Sequence, residues 1–201
     1  MELNKINYKL SDFIRDLTNV VETTNDDSEQ VSQVEHHLSK LMRTKSWLPT
    51  EKLYAGNNSY GRHSLYRDPK DRFEVLALIW EPGQSTPLHD HDGTWGVEGV
   101  VSGRMRILNY LQSDSYSNQT IKLCYSGTMT LNEQSTGELL PPADCHILKP
   151  EGDETVVTVH VYGKQLKKFR IFEHTDQEDI FITHEKPVGY TTETCLEGLW
   201  N

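Results

Sequence analysis

The chain has 201 residues, 35% of them hydrophobic, and a formal net charge of −10. That length fits one domain with a core needing neither disulfides nor a structural metal. The acidic balance argues against nucleic acid, whose phosphates call for a basic surface. Three widely spaced cysteines, Cys124, Cys145 and Cys195, contain no C-x-x-C pair, which argues against a disulfide framework and a zinc–thiolate site. The opening MELNKINYKL lacks the basic start and apolar core of a secretory signal, and no run approaches the ~20 apolar residues of a membrane span. The expectation is a cytoplasmic protein, monomeric, with no nucleic-acid or membrane partner.

Residues 1–50 are read as a helical segment packed on a larger body. Phe13, Ile14, Leu17, Val20 and Val21 recur at helical spacing behind a cap at Ser11 or Asp12. The polar stretch TTNDDSEQ follows, and Ser28 opens a second helix with the stripe Val31, Val34, Leu38, Leu41 and Met42, closed by Pro49. Two short helices cannot bury a core alone. From Tyr54 the texture turns to short runs rich in β-branched and aromatic residues: FEVLALIW (73–80), WGVEGVVSG (95–103), RMRILNYL (104–111), QTIKLCYSG (119–127), TVVTVHVYG (155–163) and FRIFE (169–173). Regular short strands with Gly and Pro between them predict a sandwich or barrel over 51–175. Residues 176–201 are read as a C-terminal extension, without clear pattern from His184 onward.

HDHDGTWG (89–96) carries the first sign of chemistry. In a strand, residues i and i+2 share a face, so His89 and His91 can project together and hold one ion. His36, His37 and His184 are read as ordinary structural histidines. The spacing from Gly83 through His89 and His91 resembles the first cupin signature, G-x5-H-x-H-x4-E-x6-G, with Gly103 as its closing glycine. Gly96 stands where that signature has its ligand glutamate. Glu98, two positions along the strand, is displaced by about 6–7 Å, too far for a simple substitute. The second cupin signature supplies a histidine some way downstream, and His146 in PPADCHILKP sits there, although Ala143 and Pro150 replace its usual glycine and asparagine. Three neutral imidazoles leave an ion its full charge and open positions. The donor set suits Fe, Zn, Cu or Ni alike.

Four segments together resemble the cysteine dioxygenase family, the thiol dioxygenase branch of the cupins. YGRHSLYRDP (60–69) is similar to its tyrosine-x-arginine segment, IWEPGQSTPLHDH (79–91) to its tryptophan-containing run into H-x-H, His146 to its third ligand, and T-V-H-V-Y (158–162) to its S-x-H-x-Y triad. The resemblance implies a mainly β fold, a cupin (double-stranded β-helix, jelly-roll) barrel with an N-terminal helical segment. It implies Fe(II) on His89, His91 and His146, and oxidation of L-cysteine by O2 to cysteine sulfinate. Arg62, with Tyr60 beside it, would grip the substrate carboxylate, as a guanidinium does best. Thr158, His160 and Tyr162 alternate and therefore share one strand face, where they would orient or pass a proton. Trp80 matches a pocket residue of the family and fits plain core equally well. Cys145 is expected to point away from the metal. Gly96 also occupies the position of the cysteine that mammalian members join to the triad tyrosine, so no cross-link to Tyr162 is expected. Arginine at 62 points to cysteine first and to another carboxylated thiol, 3-mercaptopropionate or mercaptosuccinate, second. A non-catalytic cupin that binds a small ligand or stores a metal is a further alternative, and a zinc or manganese cupin isomerase or hydrolase, which the missing glutamate disfavours, is the last.

Overall fold

The computed structural model describes residues 8–44, 47, 48, 50, 53–56, 59–115 and 119–192. The expectations placed on Pro49 and Cys195 lie outside the described residues. Two helices come first, α1 (Leu10–Thr23) and α2 (Asp27–Met42). Their caps differ from those expected. Lys9 is the N-cap of α1, its backbone N–H donating to Asp12 Oδ2 at 3.1 Å, and Asp26 rather than Ser28 caps α2 by accepting from the Glu29 N–H at 2.9 Å. In both cases a carboxylate satisfies a backbone donor at the positive end of the helix.

Ten strands follow: β1 (Gly61–Arg67), β2 (Glu74–Trp80), β3 (Gly96–Ser102), β4 (Arg104–Ser115), β5 (Thr120–Asn132), β6 (Thr136–Leu139), β7 (Cys145–Glu151), β8 (Val156–Tyr162), β9 (Lys168–His174) and β10 (Ile180–Pro187). They make two antiparallel five-stranded sheets, ordered β1-β2-β8-β3-β6 and β7-β4-β5-β10-β9. Gly103, with φ of 81°, makes the tight β3–β4 link. That is the left-handed region in which a side chain is strained.

β2 and β8 are buried along their whole length, because each serves two cores. Val75, Ala77 and Ile79 with Val157, Val159 and Val161 pack against Phe13, Leu17, Val20, Val31, Leu38 and Leu41 of the helices. Leu76, Leu78, Trp80 and Tyr162 face the barrel interior with Met105, Ile107 and Leu148. Each fully buried aliphatic side chain contributes about 1.5–3 kcal/mol, so this contact holds the helices to the sheet.

The stretch 86–90 knits the outer strands of the second sheet together. His89 pairs with His146 of β7 on one side and with Ile171 of β9 on the other. Thr86 N–H donates to Leu148 O at 3.0 Å and Asp90 N–H to Arg170 O at 3.1 Å. β10, assigned by sequence to an extension beyond the barrel, is instead part of the sheet and pairs with β9 and with the start of β5. Beyond it the chain returns to β1, where Thr191 N–H donates to Arg62 O at 2.8 Å and Ser64 N–H to Thr192 O at 3.1 Å. The sequence carried no signal for this because ITHEKP alternates charge without an apolar face, as a sheet strand with an exposed outer edge does. Among the described residues no helix is long and apolar enough to cross a membrane.

Candidate metal centre and its surroundings

His89 and His91 do not lie in a regular strand, as the sequence reading supposed. They sit in an extended stretch in which only His89 makes a bridge, and the chain turns away at once through Asp92 (φ 54°) and Gly93 (φ 71°). Alternation still holds. Asp90, between them, faces the other way and grips Arg170, accepting from its Nε at 2.5 Å and from its backbone N–H at 2.8 Å. His146 reaches the same point from β7, held there by the reciprocal backbone hydrogen bonds to His89 at 3.0 and 3.1 Å. The three rings are nearly equidistant, with centroids 4.9 to 5.0 Å apart, and each offers a nitrogen within 4.8 Å of the others.

The state of those nitrogens tests whether a metal fits. Both nitrogens of His91 and both of His146 are buried without a hydrogen-bond partner. His89 directs its Nδ1 to Pro87 O at 3.1 Å, which leaves Nε2 with its lone pair towards the other two rings. Leaving a buried polar atom unsatisfied costs about 1–3 kcal/mol, and an ion would take up one nitrogen on each of these two imidazoles. Asp144 supports His91: it accepts from the His91 backbone N–H at 3.2 Å, and its carboxylate stands 3.5 Å from Nδ1, just beyond hydrogen-bond distance. Such a carboxylate behind a histidine fixes the ring and raises its basicity towards a metal. The residues fit a divalent cation.

Burial and the neighbouring imidazoles keep His89 and His146 neutral. The dry barrel, aided by His91, lowers His89 to about 3, and burial with His91 and His89 lowers His146 well below the usual histidine range. A neutral lone pair is the form a metal binds. One consequence concerns metal-free stability. Between pH 6.5 and about 4.5 the unfolded chain protonates His89, His146 and His160, the last also lowered by burial, while the folded chain does not. Stability therefore falls with acidification by about 1.4 kcal/mol per pH unit for each. Glu98, raised by burial to about 8, works in the opposite sense over that interval because the folded state holds its proton and the unfolded state releases it. Three against one leaves net acid destabilisation. Urea midpoints of the metal-free protein, measured from pH 6.5 to 5, are expected to drop steadily, and a flat profile would contradict neutral burial of the histidines.

Around the cluster the barrel interior carries the other residues singled out by sequence. Tyr162 stacks on His91, with centroids 5.3 Å apart and planes at 25°. Thr158 Oγ1 lies 2.8 Å from His160 Nε2, and Tyr162 Oη lies 3.2 Å from His160 Nδ1. Trp80 Nε1–H donates to Thr158 Oγ1 at 2.9 Å, so this residue is no plain core filler but the fixed end of a four-member chain. Gly96 lies opposite Tyr162, and a Cβ there would sit 3.0 Å from the tyrosine ring. Glycine is what lets that ring lie where it does. Arg62, 8% exposed, donates from Nη2 to Tyr60 Oη at 3.3 Å, while its Nη1 is buried without an acceptor. Tyr60 in turn stacks on Trp80 at 4.2 Å. Cys145 packs with Leu88, Leu123, Phe172 and Phe181, away from the three rings. Glu98 is not part of the histidine cluster; its Oε2 stands 3.6 Å from His160 Nδ1.

The sequence reading missed three supports. Asp90, Asp144 and Glu74 are each at most 4% exposed, and Glu74 accepts from Ser64, Arg67 and Tyr190. A carboxylate beside a ligand histidine, as at 90 and 144, is a signal that could have been read for two of them. Glu74 and Tyr190 are 116 positions apart, and nothing local links them.

No family model matches the chain. Similar solved structures include a conserved protein with a double-stranded β-helix domain from Klebsiella pneumoniae, at 18% identity and a TM-score of 0.47 over 65% of this chain and 99% of that one. A cupin 2 conserved barrel protein from Salinispora arenicola is similar at 20% identity and 0.40, over 57% and 83%. An oxalate oxidase is similar at 18% identity and 0.42, over 56% and 54%. The fold is mainly β, a barrel of two antiparallel five-stranded sheets. Its two facing antiparallel sheets, with helices at the N-terminus, place the histidine cluster inside.

Proposed function

We propose that this barrel is a cupin, and a non-haem iron thiol dioxygenase that oxidises L-cysteine with O2 to cysteine sulfinate. One observation carries the reading: a buried guanidinium nitrogen without an acceptor, on Arg62, shares the barrel interior with a three-histidine cluster and a Tyr–His–Thr chain. Fe(II) held by His89, His91 and His146 would supply the redox chemistry that joins dioxygen to a thiolate sulfur. The balance is RSH + O2 giving RSO2⁻ and H⁺; sulfur loses four electrons, dioxygen gains them, and no outside reductant is needed.

The chain's own residues do the rest. Arg62 and the Tyr60 hydroxyl hold the substrate carboxylate, which supplies the acceptor that Nη1 lacks. The apolar wall of Leu76, Leu78 and Trp80 excludes water, which strengthens that ion pair. Tyr162 presents its phenol beside His91, and His160, Thr158 and Trp80 fix its orientation from behind. Arg62 reads a carboxylate and not an amine, which favours a second reading with 3-mercaptopropionate or mercaptosuccinate as substrate. The test is oxygen uptake and sulfinate formation by the iron-loaded protein with cysteine, 3-mercaptopropionate, mercaptosuccinate and cysteamine. Cysteine is expected to be fastest and cysteamine, without a carboxylate, at least tenfold slower. No uptake with any thiol would leave a ligand-binding cupin.

A further inference from the structure

Glu98 is a buried acid of the barrel interior to which the proposed chemistry gives no task; Glu74, the other described one on that face, is already engaged by Ser64, Arg67 and Tyr190. Glu98 projects inward from β3, directly across from His160 on β8 and Gly137 on β6, and is 4% exposed. Its Oε2 is 3.6 Å from His160 Nδ1, and Tyr162 Oη is 3.2 Å from the same nitrogen. Two oxygens thus compete for one ring nitrogen. A hydrogen bond needs about 3 Å, and a small turn of the carboxyl group closes the difference.

The other end of the ring does not choose the tautomer. Thr158 Oγ1 accepts the Trp80 N–H and keeps both a second lone pair and its own hydrogen, so it can accept from His160 Nε2 or donate to it. The choice falls to the Nδ1 side. We propose that Glu98 is a positioning residue whose charge sets the tautomer of His160 and, through it, the direction of the Tyr162 hydroxyl hydrogen. With Glu98 ionised, the proton sits on Nδ1 between the carboxylate and the Tyr162 oxygen, and the phenol O–H is free to point at the metal centre. With Glu98 neutral, Nδ1 keeps its lone pair, Tyr162 donates to it, and the phenol hydrogen is turned away. In passing from the neutral to the ionised state, Glu98 loses its carboxyl proton, the ring exchanges its Nε2–H for an Nδ1–H, and one proton leaves to solvent; no heavy-atom bond changes and nothing is oxidised or reduced.

The surroundings leave Glu98 free to titrate. On β8 it faces His160 and Tyr162. β6 offers only Gly137 at that level, and a Cβ on that glycine would lie 3.7 Å from Glu98 Oε1. Arg62 on β1 and Glu74 on β2 act on Tyr162 from further along the interior, and α2 packs on the opposite face of β3. Burial raises Glu98 from the usual carboxylate range to about 8.

The inference rests on the proposed thiol chemistry only for its consequence, so its test reads the ring directly. Full-length protein carrying ¹⁵N-histidine and loaded with Zn(II), a diamagnetic substitute for iron, is titrated by NMR from pH 6 to 9.5. The His160 signals are assigned by their loss in His160→Asn. In the wild type, His160 is expected to pass from the Nε2–H to the Nδ1–H form with a midpoint near 8. In Glu98→Gln the tautomer is expected not to change over this range. A wild-type ring that keeps one tautomer, or a switch that persists in Glu98→Gln, overturns the proposal. Should Glu98→Gln not fold, ¹³C-glutamate labelling of the wild type decides: a carboxyl titrating near 8 supports it, and all glutamates titrating below 6 overturn it. A switch without oxidation of any thiol rejects the proposed function alone, and oxidation with a fixed tautomer rejects this inference alone.

Discussion

His146→Ala is expected to abolish metal binding, of iron on the proposed reading, and to leave the barrel folded. The imidazole makes no hydrogen bond within the protein, so its loss strands no partner, and the backbone pairing with His89 remains. Two neutral histidines on one short stretch are then all that face the ion. Losing a group that merely orients a ligand costs 10–100-fold in metal affinity; losing one of three ligands costs more. Iron after purification is expected to fall from about one per chain to less than about a tenth. Stability reports the same event. A metal at about 100 times its dissociation constant adds ~2.7 kcal/mol, which is roughly 5–10 °C in Tm for a chain of this length. A chelator is expected to lower the wild-type Tm by that amount and to leave the variant unmoved. A folded His146→Ala protein that keeps its iron would remove this residue from the site.

Arg62→Ala is expected to have the opposite signature: iron content unchanged and substrate use impaired. Removing one partner of a buried, hydrogen-bonded charge pair costs about 2–5 kcal/mol, or at least about 30-fold in kcat/KM for cysteine. The loss should fall mainly on KM, because the carboxylate grip is made before and during the reaction alike. Cysteamine, with no carboxylate, serves as the internal control, and its slow rate should change little. Arg62→Lys should recover only part of the loss, since an ammonium lacks the planar fork that spans Tyr60 and a carboxylate together. Normal cysteine kinetics in Arg62→Ala would dissociate this residue from the substrate.

Much of the frame was readable because it rests on period. The helical stripe of Phe13, Leu17 and Val20 and the alternation in FEVLALIW and TVVTVHVYG became α1, β2 and β8. Thr158, His160 and Tyr162 face inward together because side chains alternate along any strand. The same rule gave the right outcome at His89 and His91 for a partly wrong reason, since an extended segment alternates even where it is not a strand. β10 escaped notice because its outer residues are polar and its pairing partners are remote in sequence.

The sequence by itself determined which residue types were available and on which face of a local segment each would lie. It supplied an H-x-H pair, an alternating T-V-H-V-Y, an arginine two residues after a tyrosine, and a glycine at 96. Only the tertiary structure decided which faces meet. His146 joins His89 because an antiparallel pairing brings residues 57 positions apart into one backbone hydrogen-bonded pair. Trp80 reaches Thr158 across two neighbouring strands. Glu98, too far along β3 to replace the missing ligand, lies against His160 because register places it directly opposite. Periodicity is a local property of the chain, whereas register and closure follow from how two sheets bury their inner faces against each other.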